Sequence, residues 1–141
     1  MTRLKTAVMF ALLWFAVTLP FAVFAERAHR HTEPWYSRRW CAVQGGLAEY
    51  TLPDGTRADC VTPSLVVEVE WAHKWAEAVG QALYYATYFP SRLPAVVLLV
   101  EDDDPEAARR YERRARVTVR SYNLPVQILV VDPCTLEVDA Q

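Results

Sequence analysis

The chain has 141 residues, 52% of them apolar and 23% charged, with a formal net charge of −2. With four glycines in all, this is the composition of one globular domain, and it excludes collagen-like, linker-like and largely disordered chains as well as two full-sized domains. The slightly acidic balance also excludes a protein that coats nucleic acid through its overall charge, so any such contact has to come from a local patch.

Arg3 and Lys5 precede an apolar run from Ala7 to Ala25 that closes on Val23-Phe24-Ala25. A basic start, an apolar middle and small residues at the end predict a signal peptide over residues 1–25, and with it an exported, periplasmic or secreted protein. The alternative is an uncleaved N-terminal transmembrane anchor, because 19 mostly apolar residues can just span a bilayer. Removing residues 1–25 takes away two positive charges and no acid, leaving 116 residues at net −4. Residues 26–33 read as a polar linker; His29 and His31 have no third ligand nearby and read as solvated chain.

The domain is expected over residues 34–141. Tyr36, Trp40 and Val43 recur at helical spacing until Gly45-Gly46, which predicts a first helix. Leu47–Leu52 and Thr56–Thr62 read as strands joined by the turn Pro53-Asp54-Gly55, with Asp54 a turn residue, and β-branched Leu65–Trp71 as a third strand. Trp71–Phe89 reads as a helix, with Trp75, Val79, Ala82 and Ala86 on one face. Pro94–Val100 is an apolar strand, Asp104-Pro105 opens a third helix to about Tyr122, and Leu124–Val131 is the last strand. The order α-β-β-β-α-β-α-β predicts an α/β fold with a mixed central sheet flanked by helices.

In an oxidising compartment Cys41, Cys60 and Cys134 are first read as disulfide partners, with Cys41–Cys60 preferred because it closes a short loop; three buried thiols are the alternative.

Glu68 and Glu70 stand in an otherwise apolar strand, two apart and so on one face. Burying carboxylates is costly unless something positive faces them. Lys74 follows four residues on and shares a helix stripe with Gln81 and Tyr85, while Asp59 and Glu49 add carboxylates from the hairpin. Such an oxygen-rich set suits Mg²⁺ or Mn²⁺ and a phosphate substrate. Taken alone, Lys74 and Glu77 read equally as solvated helix charges, and Tyr84, Tyr85 and Tyr88 as packing aromatics.

The succession Glu49, Gly55-Thr56-Arg57-Ala58-Asp59, Glu68-Val69-Glu70, Gln81-Ala82-Leu83-Tyr84-Tyr85 resembles the PD-(D/E)XK, or restriction-endonuclease-like, nuclease superfamily. Its Gln-x-x-x-Tyr element is similar to that of the branch typified by the RecB nuclease domain. The runs Asp54–Thr62 and Lys74–Ala86 also resemble a group of small uncharacterised bacterial proteins. The resemblance spans Trp35 to Glu101. It implies an α-β-β-β-α-β core with an added α-β, and a metal-dependent endonuclease hydrolysing phosphodiester bonds in DNA or RNA. It further implies that Glu49, Asp59 and Glu68 hold Mg²⁺ or Mn²⁺, while Gln81 and Tyr85 position substrate or metal. The superfamily lysine falls two after the second acid, where this chain has Glu70; the resemblance then implies Lys74 as the replacement and Glu70 as a metal or water ligand. A nuclease fold that serves as a non-catalytic binding or structural module outside the cytoplasm is the alternative.

Arg109, Arg110, Arg113, Arg114, Arg116 and Arg120 crowd the third helix. Arg109, Arg113 and Arg116 are candidates for following a nucleic-acid backbone; the other reading is a solvated face paired with Glu106 and Glu112.

Overall fold

A computed structural model describes residues 31–100 and 104–138. The expected signal or anchor lies outside the described residues, and among those described no helix is long and apolar enough to cross a membrane.

Helix α1 is Glu33–Val43, followed by strands β1 (Leu47–Thr51), β2 (Arg57–Val61) and β3 (Leu65–Trp71). A 3-10 turn over Ala72–Lys74 leads into α2 (Trp75–Ala86), then β4 (Leu93–Leu99), α3 (Pro105–Ser121), β5 (Gln127–Val131) and α4 (Pro133–Val138). The five strands lie in chain order across one mixed sheet: β1, β2 and β3 are antiparallel neighbours, and β3, β4 and β5 are parallel.

Alternation along β3 and β4 divides the core. Val67, Val69, Ala95, Val97 and Leu99 meet Tyr36, Trp40 and Cys41 of α1 and Leu136 of α4 on one face. Val96 and Leu98 meet Ala78, Val79 and Ala82 of α2 and Ala115 of α3 on the other. Glu68 is in register with Val96 and Glu70 with Leu98, so both glutamates belong to the α2–α3 face.

Several boundaries differ from the sequence reading. Helix α1 takes in Glu33, which composition placed in the linker: Pro34 sits in the first turn, and the Thr32 carbonyl accepts from Trp35 and Tyr36, so the chain is already turning there. Trp71 ends β3 instead of opening α2, because its in-register pairing with Leu99 keeps it in the sheet, and residues 72–74 form a separate tight turn. Helix α2 ends at Ala86, three residues before Phe89. Strand β5 starts at Gln127 because its parallel ladder begins at the pair Ala95–Gln127. Helix α4 is additional to the predicted elements. It begins at Asp132-Pro133, the same Asp-Pro signature that opens α3, with the Asp132 carboxylate accepting the Cys134 N–H at 2.8 Å.

A disulfide joins Cys41 of α1 to Cys60 of β2. Cys134 retains its thiol, half-buried in α4. Gly46 passes so close to the bridge that a Cβ there would lie 2.5 Å from the Cys60 sulfur and 2.8 Å from that of Cys41.

Candidate functional site

The sheet opens where the acids gather. The β2–β3 ladder pairs Val61 with Val66 and Cys60 with Val67 and goes no further. One step on, the Asp59 carboxylate takes the place of a ladder partner and accepts the Val69 N–H at 2.8 Å. This side-chain bond satisfies a β3 backbone donor and holds Asp59 beside Glu68. In β1, Glu49 interrupts the ladder between Ala48–Cys60 and Tyr50–Ala58 and has a left-handed φ of 56°. That conformation costs a glutamate about 1–3 kcal/mol.

Glu68 is 6% exposed, and its Oε2 is a buried atom with no hydrogen-bond partner among the described residues. Burial, reinforced by Asp59, Glu33, Glu70 and Glu77, pushes its carboxyl up to about 9. Asp59 is raised to about 6, again chiefly by burial, with the Val69 N–H pulling the other way. Glu33, at the start of α1, is raised to about 7 by burial and then by Asp59 and Glu70. Three neighbouring carboxyls therefore hold protons more tightly than isolated ones, the signature of a negative, desolvated cluster with insufficient positive charge.

The other acids are engaged. Glu70 accepts its neighbour's Trp71 N–H on Oε1 at 2.9 Å and pairs through Oε2 with Lys74 Nζ at 3.2 Å. That contact raises the Lys74 ammonium above its usual range, so it stays charged. Glu49 pairs with Arg57 at 2.6 Å and Arg38 at 3.6 Å, one arginine on each carboxylate oxygen. On α2, Tyr85 is buried against Val66 and Ala58, and burial and then Glu68 push its hydroxyl up to about 12. Gln81 lies beside that hydroxyl and opposes the rise, while its own buried Oε1 has no hydrogen-bond partner among the described residues.

The structure thus brings Asp59, Glu68, Glu70, Lys74, Gln81 and Tyr85 to the region between the sheet and α2. Glu49 stands at its edge, with its carboxylate turned to arginines. Glu33 belongs to the same electrostatic cluster although the sequence reading left it in a linker; the signal that could have found it is the first-turn acid beside Pro34 behind Thr32. Among the described residues, no three His, Cys, Asp or Glu side chains are close enough to share a metal ion.

Asp54 is a turn residue: its Oδ1 accepts the Thr56 N–H at 3.0 Å and the Thr56 hydroxyl at 2.7 Å. Its second oxygen accepts the Tyr84 hydroxyl, which also meets Tyr88 at 3.2 Å, so the hairpin tip is tied to α2. Tyr84 and Tyr88 make this tether, while Tyr85 enters the core. His31 stacks on Trp35 with ring centroids 3.8 Å apart; its expected companion His29 lies outside the described residues.

The arginines of α3 form a separate feature. Arg109, Arg113, Arg116 and Arg120 line surface grooves that include Glu106 and Glu112 but none of the clustered acids. Of the pairings expected for a solvated face, Arg116–Glu112 forms at 2.8 Å. Arg110 pairs with Asp104 at 3.6 Å, and Arg114 lies over the Tyr111 ring. No family model, curated protein or solved structure matches the chain.

Proposed function

We infer that this chain is an exported, metal-dependent phosphodiester hydrolase of the restriction-endonuclease-like type, acting on DNA or RNA. The observation that carries the reading is Glu68, a buried carboxylate with an unpartnered oxygen beside Asp59 at the mouth of an interrupted ladder. A cluster that retains protons this strongly is stabilised by a cation, and an all-oxygen donor set suits Mg²⁺ or Mn²⁺. Asp59 and Glu68 have the oxygens to hold it, with Glu33 nearest in charge; Glu49 would first have to leave Arg38 and Arg57. Such a cation, when bound, offsets phosphate charge and makes water more acidic.

The chain's own residues supply the rest. Lys74 stays protonated and, at the start of α2, is available to stabilise negative charge developing on a phosphate. Glu70 anchors that ammonium in place of the lysine that the superfamily carries two after the second acid. Tyr85, buried and close enough to Glu68 and Asp59 for their charge to act on its hydroxyl, and Gln81 beside it act as positioning residues. The Cys41–Cys60 bridge fits an oxidising, periplasmic or secreted location, whether residues 1–25 are cleaved or retained as an anchor.

A second reading, a non-catalytic module of the same fold, is favoured by the engagement of Lys74, the candidate for stabilising phosphate charge, with Glu70. The deciding experiment incubates the purified chain with plasmid, single-stranded DNA and RNA, with Mg²⁺ or Mn²⁺ and with chelator. The hydrolase reading expects metal-dependent cutting that Glu68→Ala and Asp59→Ala abolish and Lys74→Ala reduces at least tenfold. Intact substrate under every condition selects the non-catalytic module.

A further inference from the structure

We propose that the exposed face of α3 is a docking surface for the phosphate backbone of a nucleic-acid strand, separate from the acids beneath α2. The proposal rests on the hydrolase reading only in its choice of polymer.

Helix α3 carries six arginines against two glutamates, in a chain whose net charge is −2. Arg109, Arg113, Arg116 and Arg120 follow one another at steps of four, three and four, so they share one stripe about 16 Å long at 1.5 Å per residue. Arg109, Arg113 and Arg120 are exposed and have no ion-pair partner among the described residues. Like charges three and four apart on a helix repel, so the bare stripe weakens the element that carries it. An external polyanion removes that penalty.

The surface is also shaped for a chain of anions. A groove of about 380 Å³ runs between Arg109, Arg113, Arg116 and Arg120, and one of about 450 Å³ shares Arg109 and Arg113 and reaches Arg110. A third, of about 360 Å³, continues from Arg116 and Arg120 to Val126, Gln127 and Ile128 at the β5 edge. The concavity thus follows the arginines along the whole stripe, as an elongated backbone of repeating phosphates requires.

A lipid surface fits less well. Helices that lie in a membrane interface insert an apolar face. Here Ala107, Ala108 and Ala115 are buried, Tyr111 and Val119 pack on the core, and the stripe offers Val117 as its exposed apolar side chain.

The test is fluorescence anisotropy of a short labelled DNA duplex and of a labelled RNA strand with the full chain in chelator, over a salt series, beside anionic phosphatidylglycerol vesicles. The expected result is metal-independent binding that Arg109→Gln/Arg113→Gln weakens about tenfold or more while lowering the slope of log affinity against log salt by about two. Glu106→Gln, which removes an acid from the second groove, is expected to tighten it. The proposal is overturned if the double variant binds like the parent, if neither polymer binds, or if vesicles capture the chain and neither polymer does. Binding kept with no cleavage in Mg²⁺ or Mn²⁺ overturns the hydrolase reading and leaves this one standing; cleavage kept without stripe-dependent binding does the reverse.

Discussion

At the scale of single residues, the behaviour of Glu68 follows from what surrounds it. Glu70, on the same face of β3, has a backbone N–H and an ammonium to accept from, whereas the Glu68 Oε2 has no partner among the described residues. Burial and neighbouring acids therefore raise the folded-state carboxyl to about 9 from an ordinary 4.5. The sign of the linkage is set by which state binds the proton. Between those two values the folded chain holds a proton that the unfolded chain releases, so stability present below pH 4.5 is lost as pH rises through about 9. Asp59 acts in the same direction between 3.8 and about 6. In chelator, the melting temperature of the parent chain is expected to fall from pH 5 to pH 9. Glu68→Gln, neutral throughout, is expected to flatten the curve and to melt above the parent at pH 8. A parent curve rising over that interval would show that Glu68 has an ordinary carboxyl.

At the scale of elements, α1 depends on its bond to β2. The Cys41–Cys60 bridge closes a separation of 19 residues, and a loop of that length restricts the unfolded chain by about 3 kcal/mol. The same bridge leads from the helix that begins with Glu33 to the residue after Asp59, so two members of the acid cluster sit on elements it ties together. Reduction is expected to lower the unfolding free energy by about that amount in urea titrations. Gly46→Ala should destabilise the oxidised chain by about 1–3 kcal/mol, since its Cβ would meet two bonded sulfurs that cannot move independently. It should cost far less in the reduced chain, where the sulfurs can separate. Equal losses in the two states would place the conflict elsewhere.

At the scale of the whole molecule, charge is segregated. Acids gather between β2, β3 and α2, while the arginines of α3 line grooves that contain none of them. A ligand that binds only the folded state stabilises it by mass action. Mn²⁺ at about one hundred times its dissociation constant should add about 2.7 kcal/mol to the parent chain. The gain should vanish in Asp59→Asn/Glu68→Gln and survive Arg109→Gln/Arg113→Gln, as read by thermal unfolding at pH 7. A gain that persists in the acid variant would place the ion elsewhere; no gain in the parent would favour the non-catalytic module.

Local pattern was enough to determine the succession of helices and strands from α1 to β5, the mixed sheet, and the shared face of Glu68 and Glu70. Helical and strand periods are short-range properties, carried by Tyr36, Trp40 and Val43 or by the alternation along β3. The Asp-Pro start of α4 was equally legible, but a helix of six residues has too short a period to stand out beside it. Tertiary structure alone decided which carboxylates are spoken for. Glu49 looked as open as Asp59 in the sequence, yet Arg38 and Arg57 converge on it from α1 and β2. Glu33 looked like linker, yet the fold sets it beside acids that are far away along the chain. Desolvation and ion pairing act through space, and a linear sequence records neither the distances nor the buried volume that set them.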